Sequence, residues 1–290
     1  RKNTTKPCTA IADQVQPPLR EKRLRFAYQP IVDSVTREIK LHECLLRIIQ
    51  PDGQIVVAGQ FMLVVENLGM IRSVDRTVLE HAVDELKLYP DAHMAINVSR
   101  LTTTDRSWMR SAIAMLRGRP DIAERMVIKI TETAGLEDLE ACCRFVSTLR
   151  DLGCEIALDD FGAGYTSFRH LKQLAVNKVK IDGSFVRKIG ENAENLVFIR
   201  TLIDLARTFG LETVAECVET EEEADLLLNE GIHYMQGYAF GKPDLTAPWT
   251  AIGNQPELNG FGILENRETP EETAETEEGV LPGTAYPAPA

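Results

Sequence analysis

Eight short runs rich in β-branched residues recur along the chain, and stretches of helical periodicity lie between most of them. The runs are 24–33 (LRFAYQPIVD), 39–48 (IKLHECLLRI), 93–99 (HMAINVS), 125–131 (RMVIKIT), 154–160 (CEIALDD), 177–182 (NKVKID), 211–216 (LETVAE) and 232–235 (IHYM). Residues 73–88, 136–152, 194–209 and 221–230 instead repeat apolar side chains at three- and four-residue spacing, the mark of helices with one buried face. Strands alternating with helices from residue 24 to residue 235 predict an α/β fold of the (β/α)8 barrel type. An open doubly wound sheet is the second choice. One interval breaks the rhythm, because only residues 34–38 separate the first two runs. A parallel crossover needs a dozen or more residues, so this pair is expected to be antiparallel.

The chain has 290 residues, 44% of them hydrophobic and 26% charged, which suits one large domain or two ordinary ones and excludes a fibrous or wholly disordered protein. The longest uncharged stretch of the body, residues 53–65, falls short of the roughly 18–20 residues of a membrane helix. The basic start, RKNTTKPCTA, has no apolar run behind it and does not read as a secretory signal. The six cysteines form no CxxC pair and the five histidines no HxxxH pair, which argues against zinc and fits reduced thiols in a cytoplasmic protein. A net charge of −12 argues against binding to a DNA or RNA polymer. From Gln255 onward eight Glu and one Arg carry −7 of that charge and leave the body at −5, mild enough to hold an anion in a local basic pocket. Residues 1–22, with Pro17-Pro18, read as a linker, 23–250 as the folded domain, and 251–290, dominated by Glu, Pro, Thr and Gly, as a disordered acidic tail.

In a barrel, chemistry gathers at the C-terminal ends of the strands. Those ends carry Glu43, Asn97, Glu132, Asp159, Asp160, Lys180, Asp182, Glu216 and Glu219. One such carboxylate is an ordinary helix cap. So many at one rim repel one another unless cations neutralise them, and oxygen donors without Cys or His favour Mg2+ or Mn2+. Lys180 alternates with apolar neighbours in KVKID, so it projects into the barrel and needs a partner there. Glu216 is the candidate, and a Lys–Glu couple suits proton transfer beside metal-activated water. Arg47 is a candidate phosphate ligand, a surface ion pair being the simpler alternative.

Taken together, YQPIV (28–32), ECLLR (43–47), NVS (97–99), TET (131–133), DDFGAGYTSF (159–168), KID (180–182), AECVE (215–219) and QGYAFGKP (236–243) resemble, in order, the motifs of the EAL domain. That module linearises cyclic di-GMP to pGpG. The resemblance implies a modified TIM barrel with an antiparallel first strand. It implies Glu43, Asn97, Asp159, Asp160 and Asp182 at a Mg2+ or Mn2+ site, with Lys180 and Glu216 positioning or deprotonating the attacking water. Gln29, Leu45, Arg47, Glu219 and Gln236 would line the nucleotide pocket, and Glu132 would anchor the FGAG loop. A homodimer is implied through the loop after DDFG, where Tyr165, Phe168 and Leu171 offer apolar surface. The start RKNTTKP resembles the end of a GGDEF domain, so an upstream signalling domain is expected.

Two positions depart from the family pattern. Cys44 stands where the family has Ala, a small change. Lys129 stands at the first position of a Glu-x-Thr-Glu segment whose first Glu reaches the metals. That exchange shifts the local charge by two and removes a ligand. The expected function is therefore a cyclic di-GMP-binding module with impaired hydrolysis. The alternatives are an active Mg2+- or Mn2+-dependent phosphodiesterase and a nucleotide-free protein-interaction scaffold.

Overall fold

A computed structural model describes residues 23–132, 138–162 and 168–251. Among them, β1 (Leu24–Asp33) and β2 (Ile39–Ile49) form the antiparallel hairpin that the five-residue interval requires, closed by Asp33, whose Oδ1 accepts from the amides of Val35 and Thr36 at 2.9 and 2.8 Å. The remaining strands are β3 (Ile55–Val57), β4 (Met94–Val98), β5 (Met126–Thr131), β6 (Glu155–Phe161), β7 (Lys178–Ile181), β8 (Glu212–Ala215) and β9 (Tyr234–Gln236). From β4 to β9 each strand pairs in parallel with the next, β2 joins β4 in parallel, and β1 pairs antiparallel with both β2 and β9. The sheet thus closes on itself as an eight-stranded α/β barrel, and the open doubly wound alternative is excluded. The additional β3 lies outside the ring, antiparallel to the last residues of β2. Three residues are too few to show a period, which is why the sequence did not announce it.

The helices are α1 (Ala58–Asn67), α2 (Ile71–Leu88), α3 (Arg106–Leu116), α4 (Pro120–Ala123), α5 (Leu139–Asp151), α6 (Phe168–Leu174), α7 (Gly183–Val186), α8 (Ala193–Thr208) and α9 (Glu221–Glu230). Side-chain caps set several starts: Asp105 accepts from the Ser107 and Trp108 amides, Asn192 from those of Glu194 and Asn195, and Thr220 forms a capping box with Glu223. α9 stops where Gly231 turns to φ 86°.

Two apolar layers follow from this arrangement. Inside the barrel, Ile31, Leu41, Ala95, Val127, Ala157 and Val214 form a plug. On the opposite strand faces Ile96, Ile128, Ile156 and Val179 are buried, as are the helix residues Leu79, Trp108, Phe145 and Ile203. Each such large side chain contributes about 1.5–3 kcal/mol. Strands covered on both faces read as almost continuously apolar, so the polar Asn97, Lys129, Asp159 and Lys180 inside them stand out. At the N-terminal end of the ring, Lys178 pairs with Glu155 at 3.0 Å and closely with Glu212, and lies 5.0 Å from the Tyr234 ring centre. This cluster ties four strand starts together on the face that serves stability in barrels.

The expected linker 1–22 and all but the first residue of the expected tail 251–290 lie outside the described residues. Among the described residues no helix is long and apolar enough to cross a membrane.

Candidate active site

The C-terminal mouth gathers side chains from all eight strands of the ring. Glu43 of β2 is 4% exposed and is the hub. It accepts from Asn97 of β4 at 3.0 Å, Gln236 of β9 at 2.8 Å, Lys129 of β5 at 2.5 Å and Lys180 of β7 at 3.1 Å. Gln29 of β1 faces Glu43 directly across the hairpin and accepts from the Gln236 amide at 3.0 Å. Asp159 of β6 pairs with Lys129 at 3.0 Å and Lys180 at 3.3 Å, and Lys180 also pairs closely with Glu216, just beyond β8. Two buried ammonium groups therefore cross-link three carboxylates. Removing one partner from such a buried pair costs about 3–5 kcal/mol, so the cluster is held in one geometry.

Burial alone would raise the Glu43 carboxyl, but Lys129 and Lys180 hold it well below the usual carboxylate range. Asp159 is also lowered, because Lys180 and Lys129 outweigh its burial. Burial opposes charge on Lys180, yet Glu43, Asp159 and Glu216 push its pKa well up. Asp160 is raised by burial and by the like charges of Asp159 and Asp182. Glu216 is raised as well, mainly by burial, against the pull of Lys180. Positive charge is concentrated between Glu43 and Asp159, while at Asp160 burial and like charge outweigh the pull of Lys129 and Lys180.

The local backbone explains how these groups are presented. Asp160 sits at φ 57° and Cys217 at φ 56°, left-handed conformations that non-glycine residues seldom adopt. The loop after β8 lies so close to the segment after β9 that a Cβ on Gly237 would stand 1.9 Å from the Val218 carbonyl oxygen. Only glycine fits there, which keeps Glu216 over the mouth. Asp182 accepts from the Ser184 amide at 2.9 Å, capping α7. Leu45 and Arg47 continue the face of β2 that carries Glu43, and the half-buried Arg47 donates to the Leu46 carbonyl at 2.9 Å. Glu219 is exposed and pairs with Arg187 at 3.7 Å, apart from the carboxylate cluster. Glu132 is buried one residue past β5.

Tyr165 and the FGAG loop after Gly162 lie outside the described residues. Leu171 is 2% exposed, so it belongs to the core and supplies no docking surface. Sequence reasoning also missed Asp75 of α2, which accepts from the Ser99 amide at 2.9 Å and the Thr102 hydroxyl at 2.6 Å and so ties down the loop that follows Asn97. Its signal was an acid on the apolar stripe of α2, beside Val74 and one turn before Val78 and Leu79.

The EAL domain family model matches residues 12–243. The chain belongs to the EAL domain family. It is 34% identical over 255 residues to the cyclic di-GMP phosphodiesterase PdeB of Shewanella oneidensis, covering 86% of this chain and 29% of that protein. With PdeF of Escherichia coli, also a cyclic di-GMP phosphodiesterase, it shares 32% over 238 residues, covering 81% and 32%. The chain thus spans about a third of the length of these relatives. Among solved structures, the PaMucR phosphodiesterase in complex with c-di-GMP superposes with a TM-score of 0.76 at 28% identity, covering 81% of this chain and 97% of that one. The FimX EAL domain of Pseudomonas aeruginosa bound to c-di-GMP gives 0.74 at 25%, covering 84% and 98%.

For an EAL domain the donor set must be tested against divalent metal. Asp159, Asp160 and Glu216 offer oxygens that all lie within 4.8 Å of one another. Asp159 Oδ1 is buried and accepts no hydrogen bond, its nearest cation being the Lys180 ammonium of the ion pair at 3.3 Å. These oxygens suit one hard dication. Between Glu43 and Asp159 the fit fails, because the Lys129 ammonium already bridges their carboxylates.

Proposed function

We propose that this EAL domain binds cyclic di-GMP at the barrel mouth and that its hydrolysis to pGpG is impaired by Lys129. The observation that carries the reading is the Lys129 Nζ, 2.5 Å from Glu43 and 3.0 Å from Asp159, a cation supplied by the chain between two carboxylates expected to serve metal. Asp159, Asp160 and Glu216, with Asp182 and Asn97 alongside, would hold Mg2+ or Mn2+, which supplies activation of water and relief of phosphate charge. Lys180 holds Glu216 in place and, through that pair, the proton of the attacking water. Arg47 receives a phosphate, Gln29 and Gln236 orient the ligand beside Glu43, and Leu45 packs against it. Glu219 lines the outer edge of the same mouth, and Glu132 anchors the following loop. In this reading the domain acts within a longer signalling protein, and residues 1–22 lead from an upstream domain.

The test measures binding and cleavage separately. Calorimetry with the parent chain should detect cyclic di-GMP, while chromatography should find little pGpG with either Mg2+ or Mn2+. Lys129→Glu replaces a positive charge with an oxygen donor and should raise turnover 100-fold or more, roughly 2.7 kcal/mol of barrier. Lys129→Ala removes the charge without adding a ligand and should recover less. Several turnovers per second in the parent, or a folded Lys129→Glu variant that stays inactive, would sink the reading.

A further inference from the structure

The β1–β2 hairpin places a second arginine beside Arg47. In its register Arg25 stands directly opposite Arg47, Ala27 opposite Leu45 and Gln29 opposite Glu43. Side chains alternate across a sheet, so all six lie on one face. The other face, with Leu24, Phe26, Leu46 and Ile48, is buried at 9% exposure or less. The face shared by the two arginines is thus the one that looks into the mouth.

The three rungs form a ladder. Glu43 and Gln29 mark the floor, the apolar Ala27–Leu45 rung comes next, and the arginine rung stands about 13 Å above the floor along the strands. Directly opposed residues have Cβ atoms about 5 Å apart, and like charges so placed destabilise a hairpin. Both arginines are only half-exposed, and each turns one Nη1 back on the carbonyl before it, Arg25 on Leu24 at 2.8 Å and Arg47 on Leu46 at 2.9 Å. Burial lowers the pKa of both guanidiniums, so both are partly stripped of water. A guanidinium fork matches the oxygens of a phosphodiester, and two forks on one rung reach one phosphate from both strands.

We infer that Arg25 and Arg47 form a two-guanidinium clamp on one phosphate of the ligand, with Arg25 a binding residue in its own right. The inference rests on the assignment of the mouth as a cyclic di-GMP pocket. Calorimetry with cyclic di-GMP at two salt concentrations tests it, using the parent, Arg25→Gln, Arg47→Ala and the double variant. Arg25→Gln should bind about 10- to 100-fold more weakly and show a shallower salt dependence. The double variant should lose less than the product of the single losses, because both groups act on one phosphate. Parent-like affinity in Arg25→Gln, or fully multiplicative losses, would overturn the clamp. A parent that binds no cyclic di-GMP would instead overturn the assignment beneath it. Should Arg25→Gln not fold, Arg25→Lys decides: it keeps the charge without the planar fork, should bind about three- to tenfold more weakly, and refutes the clamp if it binds like the parent.

Discussion

Replacing Glu85 with glutamine should remove a large part of the pH dependence of folding between pH 5 and 8. Glu85 of α2 is 6% exposed and sits behind β1, where its two oxygens accept from the Tyr28 hydroxyl at 2.7 and 2.8 Å and Oε1 accepts from Trp249 Nε1 at 2.9 Å. Trp249 packs edge-on against Tyr28 and His42, with ring centres 5.1 and 5.4 Å apart. Burial in this aromatic cage raises the Glu85 carboxyl to about 7, although both hydrogen bonds pull it back toward its ordinary 4.5. Between those values the folded protein keeps a proton that the unfolded chain has lost. The stabilisation is therefore complete below about 4.5 and is lost as pH rises through about 7. At about 1.36 kcal/mol per pH unit, the gap amounts to about 3 kcal/mol.

Glutamine keeps the shape and the acceptor oxygen but does not titrate. His42, lowered by burial, and Tyr28, raised by burial and Glu85, border the same cage. His42 titrates in both proteins and largely cancels in their difference. Urea unfolding at unit pH steps should show parent and Glu85→Gln stabilities diverging by about 2–3 kcal/mol from pH 5 to 8. A difference that stays constant to within about 0.5 kcal/mol across that range would refute the reasoning. The cage matters to the site because the amide of Tyr28, next to Gln29, donates to the Asp244 carbonyl at 2.7 Å, so the segment carrying Trp249 is strapped to the strand that lines the mouth.

Arg47→Ala should weaken cyclic di-GMP binding by about 1.5–3 kcal/mol, the range for a hydrogen bond to a charged group, and equal affinity by calorimetry would exclude Arg47 from the phosphate. A dimer is expected. With Leu171 buried, α8 offers the exposed apolar pair Val197 and Phe198, the latter beside Gly162 and stacked 4.4 Å from Phe185. Light scattering should give twice the chain mass of 32.4 kDa and fall toward it for Val197→Glu; a monomer mass at high concentration, with and without ligand, would rule the dimer out.

The sequence by itself determined the barrel, because burial leaves a local record. The helical period of 221–230 marks an element of the same bounds in the structure, and the five residues 34–38 dictate an antiparallel hairpin. The polar residues at the mouth were legible for the same reason, since Asn97, Lys129, Asp159 and Lys180 interrupt runs that are otherwise apolar. What the sequence left open was their pairing. Lys180 was expected to meet Glu216, and it does, but it also shares Glu43 and Asp159. Lys129 reads on the page only as a departure, whereas in the fold it bridges two carboxylates. The donors meeting at Glu43 are separated from it by 54 to 193 residues. A repeat of two or 3.6 residues reports which side of an element is buried and nothing about its partners at such distances. Those follow from strand register and closure of the ring, which also set Arg25 opposite Arg47, put Leu171 in the core and turned Glu85 inward to meet Tyr28 and Trp249.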